Sequence, residues 1–228
     1  MTTTQTNLVI FGLGETAELA YEYFTHDPAY ANYTVKAFCV DAEYKKADTF
    51  LGLPIVTPET VTEQFPPATH MAFAAAASGQ LNRTREALYN KAKGLGYKLA
   101  SYISSRAFVW HNVKIGENCF ILEDNTLQPF TTVGNNVVMW SGNHLGHRSV
   151  IEDHCFITSH VVISGYCTIG AYTFVGVNAA FADEVKVAKD NFIAMGAVIN
   201  KPTEENGFYV GSPMVKKEKT AKQLMKVA

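Results

Sequence analysis

From Ile103 to Ile199 every sixth residue is apolar, seventeen positions in one unbroken register: Ile103, Val109, Ile115, Ile121, Leu127, Val133, Met139, Leu145, Ile151, Ile157, Ile163, Ile169, Val175, Phe181, Val187, Ile193 and Ile199. At the chain's own hydrophobic content of 47%, chance gives such a run on the order of a few times in a million per register. Four residues after each apolar position comes a small or β-branched one, with Cys119, Cys155 and Cys167 among them. Helices repeat every 3.6 residues and strands every 2, so neither explains a period of six. A short flat strand followed by a two-residue corner does, when three such units close a triangular coil. The apolar residue then points into the prism and the small one completes its layer. Coils stack at about the strand spacing of 4.8 Å. The pattern predicts a hexapeptide-repeat β-helix of between five and six coils, with no loop extruded.

The residues before the prism carry a different rhythm. Asn7–Phe11 is a short apolar run broken at Gly12-Leu-Gly14, and an amphipathic stretch follows from Glu15 to about Phe24. Val35–Val40 reads as a second strand ending at Asp41. Thr57 and Pro58 open a helix, as cap and first residue. Met71–Ala77 is a buried strand, Gln80–Gly94 a helix, and Tyr97–Ala100 a last strand. Alternating strands and helices predict a small parallel α/β domain. The expected fold class is therefore α/β plus β: a Rossmann-like domain over 1–100, a β-helix over 101–202, and a C-terminal loop and basic capping helix over 203–228.

Composition narrows the partners. A net charge of −2 gives no electrostatic case for nucleic acid or an anionic membrane. No apolar run approaches 18 residues and no signal segment opens the chain, so a soluble cytoplasmic protein is expected. Three of the four cysteines fall in the small interior slot, as core fillers rather than a disulfide framework.

Two stretches carry candidate chemistry. Gly12-x-Gly14-x-x-Ala17 matches the turn that brings a helix N-terminus close to a diphosphate, and Asp41 ends the next strand, where a carboxylate commonly meets a ribose hydroxyl. Structural turns and NAD binding are the other readings. In the prism, His144 and His147 share one coil, with His154 and His160 following and His111 on the face of His147 two coils earlier. An imidazole on an outward corner is not core filling. His147 reads as a general base, a surface residue stacked with His111, or a metal ligand with His144; no third ligand stands at an obvious position, so no metal is expected.

The glycine turn and α/β head, the unbroken prism, the His147 region and the tail Asn206-Gly-Phe-Tyr-Val-Gly-Ser-Pro213 together resemble the sialic-acid O-acetyltransferase and bacillosamine N-acetyltransferase type of hexapeptide-repeat sugar acetyltransferases, left-handed β-helices with an N-terminal nucleotide-sugar domain. The resemblance implies an acetyl-CoA-dependent N-acetyltransferase acting on a nucleotide-linked 4-amino-4,6-dideoxy sugar for surface polysaccharide, working as a homotrimer with the coenzyme between prisms. It implies His147 as catalytic base, the Gly165 amide as oxyanion donor, and Gly165, Gly176, Gly196, Gly211 and Pro213 along the acetyl-CoA path. Gly12, Gly14 and Asp41 would hold the nucleotide. Arg148 stands where relatives carry a carboxylate beside the base, which leaves Asn143 or a neighbouring protomer to hold the imidazole. Phe156 replaces a second histidine. Sugar O-acetylation, or a non-catalytic or metal-binding prism, are the alternative readings.

Overall fold

The structure is a computed structural model that describes residues 5–211. The proposed tail helix and Pro213 lie outside the described residues. The head is a six-stranded sheet in the order β3 (Thr49–Phe50), β4 (Leu53–Val56), β2 (Tyr33–Cys39), β1 (Thr6–Phe11), β5 (His70–Ala74), β6 (Lys98–Leu99). All pairings are parallel except β3 with β4. That edge hairpin departs from the expected all-parallel sheet; Leu51 and Gly52, both at positive φ, form its two-residue turn. Along β1 the side chains alternate between two layers. Leu8 and Ile10 pack with α1 (Glu15–His26), while Val9 and Phe11 face residues of α2 (Pro58–Gln64) and α3 (Arg83–Gly94). Both faces being covered explains why the strand reads as a continuous apolar run.

Two helix starts differ from expectation. Thr57 precedes α2 but its side chain makes no capping bond. The third helix begins at Arg83 rather than Gln80, because Gln80, Leu81 and Asn82 are all left-handed. Docking explains that loop: the Asn82 amide donates to the Tyr172 carbonyl of the prism at 2.9 Å.

Eighteen two-residue strands, from β7 (Tyr102–Ile103) to β24 (Phe208–Tyr209), wind the left-handed parallel β-helix. They form three faces of seven, six and five strands, every rung pairing a residue with the one a coil later. The first face begins at Tyr102, the second at Phe108, the third at Lys114. The hexad residues point inward as one column, fully buried from Ile121 to Ile193 and packed with Cys119, Cys155 and Cys167. Inside the corners Asn125, Asn143 and Asn191 donate to corner carbonyls, including those one coil away. These bonds stitch coils together where the ladder turns.

From Asn118 to Gly196 the second residue of each two-residue corner adopts positive φ, which suits Asn118, Asp124, Asn136, Asn178 and Asp190. The edge between the second and third faces places Phe130, Arg148 and Tyr166 there, at φ of 64°, 58° and 57°, and the other two edges carry His154, His160 and Tyr172 in the same conformation. Bulky residues in this region cost about 1 kcal/mol or more each and gather at functional sites.

The first face docks into the head. Tyr102, Phe120, Val138 and Phe156 on its outer side join the cluster built on α1, with Phe24 ringed by Tyr30, Phe73 and Tyr102. Asp27 ties the two parts: its carboxylate accepts from Tyr102 Oη at 2.7 Å, Ser105 N at 3.0 Å and Ala29 N at 3.0 Å. Burial raises its pKa, and the hydrogen bonds outweigh that and hold it at about 2. A carboxyl whose folded pKa lies below its unfolded value stabilises the fold above the unfolded value, about 3.9. That contribution fades as pH falls towards 2. Asp27→Asn is expected to lower stability at pH 7 by about 1–2 kcal/mol and to flatten the acid limb of stability between pH 4 and 2. Denaturant titrations across that range test it; an acid limb like the wild type's would exclude Asp27 as its source.

Candidate active site

On the edge between the second and third faces, His111, Pro129, His147, Gly165 and Asp183 stand one above the other, one per coil. The hexad fixes this: residues 18 apart share an edge. His147 is exposed, its backbone N–H held by Gln128 Oε1 at 2.9 Å. Its ring meets Tyr166 edge-on, centroids 5.1 Å apart. It lies across Gly165 so closely that a Cβ there would stand 2.7 Å from Cε1 and 3.0 Å from Nε2. Glycine at 165 is thus what leaves room for the imidazole. The Gly165 N–H donates to Asp183 Oδ1 at 2.8 Å. The Arg148 guanidinium lies over the Phe130 ring at 4.6 Å and faces Tyr166 at 6.0 Å.

The other histidines separate from this site. His111 has Pro129 between itself and His147 and rests on Trp110, so the expected stacked pair does not form. His144 lies on the second face between Thr126 and Val162. Among the described residues no group of three or more His, Cys, Asp or Glu is placed to hold a metal. His154 is buried against the head, stacked on Tyr172 and bonded to Asn136, and its burial lowers its pKa. His160 sits over Gly142 on the edge between the first and second faces. Asn143 is turned into the prism, donating to Trp140 O and accepting from Val161 N, so it does not hold the His147 ring. Phe156 is a docking residue, stacked on Phe174 at 5.7 Å and packed beside the head.

Gly176, Gly196 and Gly211 come together, but on the edge between the first and second faces. A Cβ at Gly176 would reach Met195 N at 2.4 Å, and one at Gly211 would reach Gly196 C at 2.8 Å. Within one protomer the imidazole and these glycines therefore flank opposite sides of the second face. That face and its rim expose Phe108, Trp110, Phe130, Val162, Tyr166 and Val198, an apolar surface that a folded protein normally covers.

In the head, Gly12 approaches Ala75 so closely that a Cβ would lie 2.2 Å from its carbonyl oxygen, at φ of 129°. Gly14, at φ of 107°, caps α1 with no side chain over its first N–H groups; Glu15 and Glu18 lie in that first turn. Asp41 follows the end of β2 and forms an ion pair with Lys91 of α3. Sequence reasoning did not single out Gln128, Tyr166 or Asp183. The 18-residue spacing from His147 through Gly165 to Asp183 was the available signal.

No family profile matches the chain. It is 26% identical over 110 residues to a UDP-3-O-acylglucosamine N-acyltransferase of Methylococcus capsulatus, covering 48% of this chain and 30% of that protein. It is 26% identical over 83 residues to an acyl-[acyl-carrier-protein]--UDP-N-acetylglucosamine O-acyltransferase of Pseudomonas putida, covering 36% and 32%. The chain thus spans about a third of the length of these curated relatives. Three solved structures match along nearly the whole chain. The acetyltransferase domain of PglB from Neisseria gonorrhoeae, in complex with acetyl coenzyme A, has a TM-score of 0.79 at 20% identity, covering 92% of this chain and 98% of that one. PerB from Caulobacter crescentus, in complex with CoA and GDP-perosamine, has 0.77 at 23%, covering 90% and 94%. WeeI from Acinetobacter baumannii has 0.60 at 19%, covering 92% and 98%. These likenesses establish a shared fold, an α/β head joined to a hexapeptide-repeat left-handed β-helix.

Proposed function

We propose that the protein is an acetyl-CoA-dependent N-acetyltransferase acting on the amino group of a nucleotide-linked amino-deoxy sugar, and that it works as a homotrimer. The observation that carries the reading is the exposed His147 imidazole lying on Gly165, a proton acceptor directly beside a backbone N–H donor. Acyl transfer to an amine requires that pair. An amine of ordinary pKa is mostly protonated at pH 7, so a base must take a proton as nitrogen attacks. The nitrogen bonds to the thioester carbonyl carbon, His147 accepts the amine proton, and the Gly165 N–H donates to the oxyanion. The C–S bond then breaks, and the CoA thiolate leaves with the proton carried by the imidazolium. The buried cysteines, whose pKa values burial raises, are poorly suited to a covalent relay, so direct transfer within a ternary complex is favoured.

The trimer is supported by the division of the site between two edges. A second prism laid on the exposed apolar second face would bring its Gly176, Gly196 and Gly211 edge towards the first protomer's His147, with the coenzyme between them. The head over 1–100 would bind the nucleotide through the Gly12–Gly14 turn and Asp41, and the prism over 101–202 would bind the acyl donor. PglB and PerB, which share the fold, were solved with acetyl coenzyme A and with CoA and GDP-perosamine respectively. Sugar O-acetylation is the second reading, favoured by the O-acyltransferase among the aligned relatives. Thiol release from acetyl-CoA against a panel of nucleotide-linked amino sugars and their hydroxyl counterparts decides between them: release with amines alone supports the proposal, and release with neither overturns both.

The role of Asp41 has its own test. Asp41→Ala is expected to raise the KM for the sugar nucleotide several-fold, as for loss of one charge-assisted hydrogen bond, while the KM for acetyl-CoA changes less than twofold. The reverse pattern would place the nucleotide away from the head.

A further inference from the structure

Resting on the acyltransferase reading, the Asp183 carboxylate is the one group that already occupies its oxyanion donor. Its Oδ1 accepts from Gly165 N at 2.8 Å, from one coil further along the edge, while the His147 ring covers the same glycine from one coil before. The fold uses this device elsewhere. Asp153 Oδ1 accepts from Asn135 N at 2.7 Å, and Asn135 Oδ1 from Glu117 N at 3.1 Å, on the edge between the third and first faces. No imidazole stands over those amides, and there the bond only satisfies a corner donor. At Gly165 the satisfied donor is the one that acyl transfer needs.

One N–H cannot serve a carboxylate and an oxyanion together, because two anions would share a single donor at hydrogen-bond distance. Gly165 is buried, and the acceptor its N–H meets is Asp183. Asp183 is exposed and can turn into solvent without stranding a buried charge. We propose that Asp183 is a latch on the oxyanion donor: its carboxylate masks the Gly165 N–H in the resting protein and is displaced by the thioester carbonyl of the acyl donor. It is a positioning residue, acting through Gly165 and touching no reacting atom. Its consequence is that acetyl-CoA, whose thioester carbonyl would reach the Gly165 N–H, competes with the latch, whereas free CoA, which has a thiol there, does not.

The test uses the full chain and the variants Asp183→Ala and Asp183→Asn. Removing the competitor is expected to raise kcat/KM for acetyl-CoA by roughly five-fold, the scale of one solvent-exposed charged hydrogen bond. The Kd for free CoA, measured by calorimetry, is expected to stay within twofold. Asparagine keeps a weaker, neutral acceptor and falls between the two. Hydrogen exchange of the peptide containing Gly165 is expected to quicken in Asp183→Ala. Unchanged or lowered kcat/KM in both variants, or CoA affinity moving in step with it, overturns the latch, as does unaltered exchange. Absence of acyl transfer by the wild-type protein on the full sugar panel is a different result, and overturns the acyltransferase reading itself.

Discussion

His147→Ala is expected to lower turnover by at least ~100-fold, the usual scale for losing a general base, with the melting temperature and the assembly unchanged. The two halves of this expectation have separate grounds. The ring is exposed and packs against Gly165 and the edge of Tyr166, so its removal leaves no cavity in the prism core. Its backbone N–H keeps its bond to Gln128, which alanine does not disturb. The loss should therefore lie in kcat, with both KM values within a few-fold of wild type, because the base acts on the amine proton during attack rather than on either substrate at rest. Steady-state kinetics with the best substrate from the sugar panel, together with size-exclusion chromatography, measure this. Turnover near the wild-type value would remove His147 from the mechanism and leave the imidazole a surface feature.

How far the sequence discloses such a site depends on which interactions are periodic. The prism was legible from Ile103 to Ile199 because its core is one-dimensional: each coil repeats the previous rule, so Ile121 and Ile193 obey the same geometry. The last rung, Phe208–Tyr209, falls out of the six-residue register and was read as part of the tail. Gly165 was reached through the family resemblance, although it lies one period from His147, and Asp183, one period further, stood open to the same spacing argument. The head was legible only in outline. The glycine turn and α1 follow local rules, but Gln80–Asn82 are held left-handed by a prism corner 90 residues further on, through Asn82 and Tyr172. No local propensity reports such a contact. Asn143 illustrates the opposite failure. Its nearness to His147 in the chain suggested a bond, whereas its place in the hexad puts it inside the prism. Period outranks proximity in this fold.

The largest stability effect is expected at a residue that charge pattern alone would leave on a solvated helix face. Arg85 of α3 is 1% exposed, and among the described residues no carboxylate bonds to it. Its guanidinium donates to the carbonyls of Asn136 (3.2 Å), His154 (3.0 Å), Cys155 (3.1 Å) and Ala77 (3.2 Å), and to Asn82 Oδ1 at 3.4 Å. Burial lowers its pKa to about 10, so it remains charged at neutral pH. Two opposing effects meet in Arg85→Met. The substitution removes the desolvation penalty of a buried cation, which by itself stabilises. It also strips the partners from backbone carbonyls that cannot be mutated away, at about 1–3 kcal/mol for each left buried and unpaired. Cys155 O keeps a second bond from Val138 N and Ala77 is exposed, so its carbonyl can turn to water, but no second donor meets the buried carbonyls of Asn136 and His154 among the described residues. Two buried orphaned acceptors outweigh one desolvation penalty, and Arg85→Met is expected to destabilise the protein by about 2 kcal/mol or more. Arg85→Lys retains the charge but not the planar fork, and should recover less than half of the loss. Because the fork joins α3 to two successive coils, the damage should begin at the joint between head and prism. Limited proteolysis should therefore open the chain near Gln80–Asn82 before the prism unfolds. Denaturant titrations of both variants provide the measurement. A methionine variant as stable as wild type would mean that water reaches the carbonyls as readily as the guanidinium does, and that the head is held to the prism by its aromatic cluster and the bonds of Asp27 and Asn82.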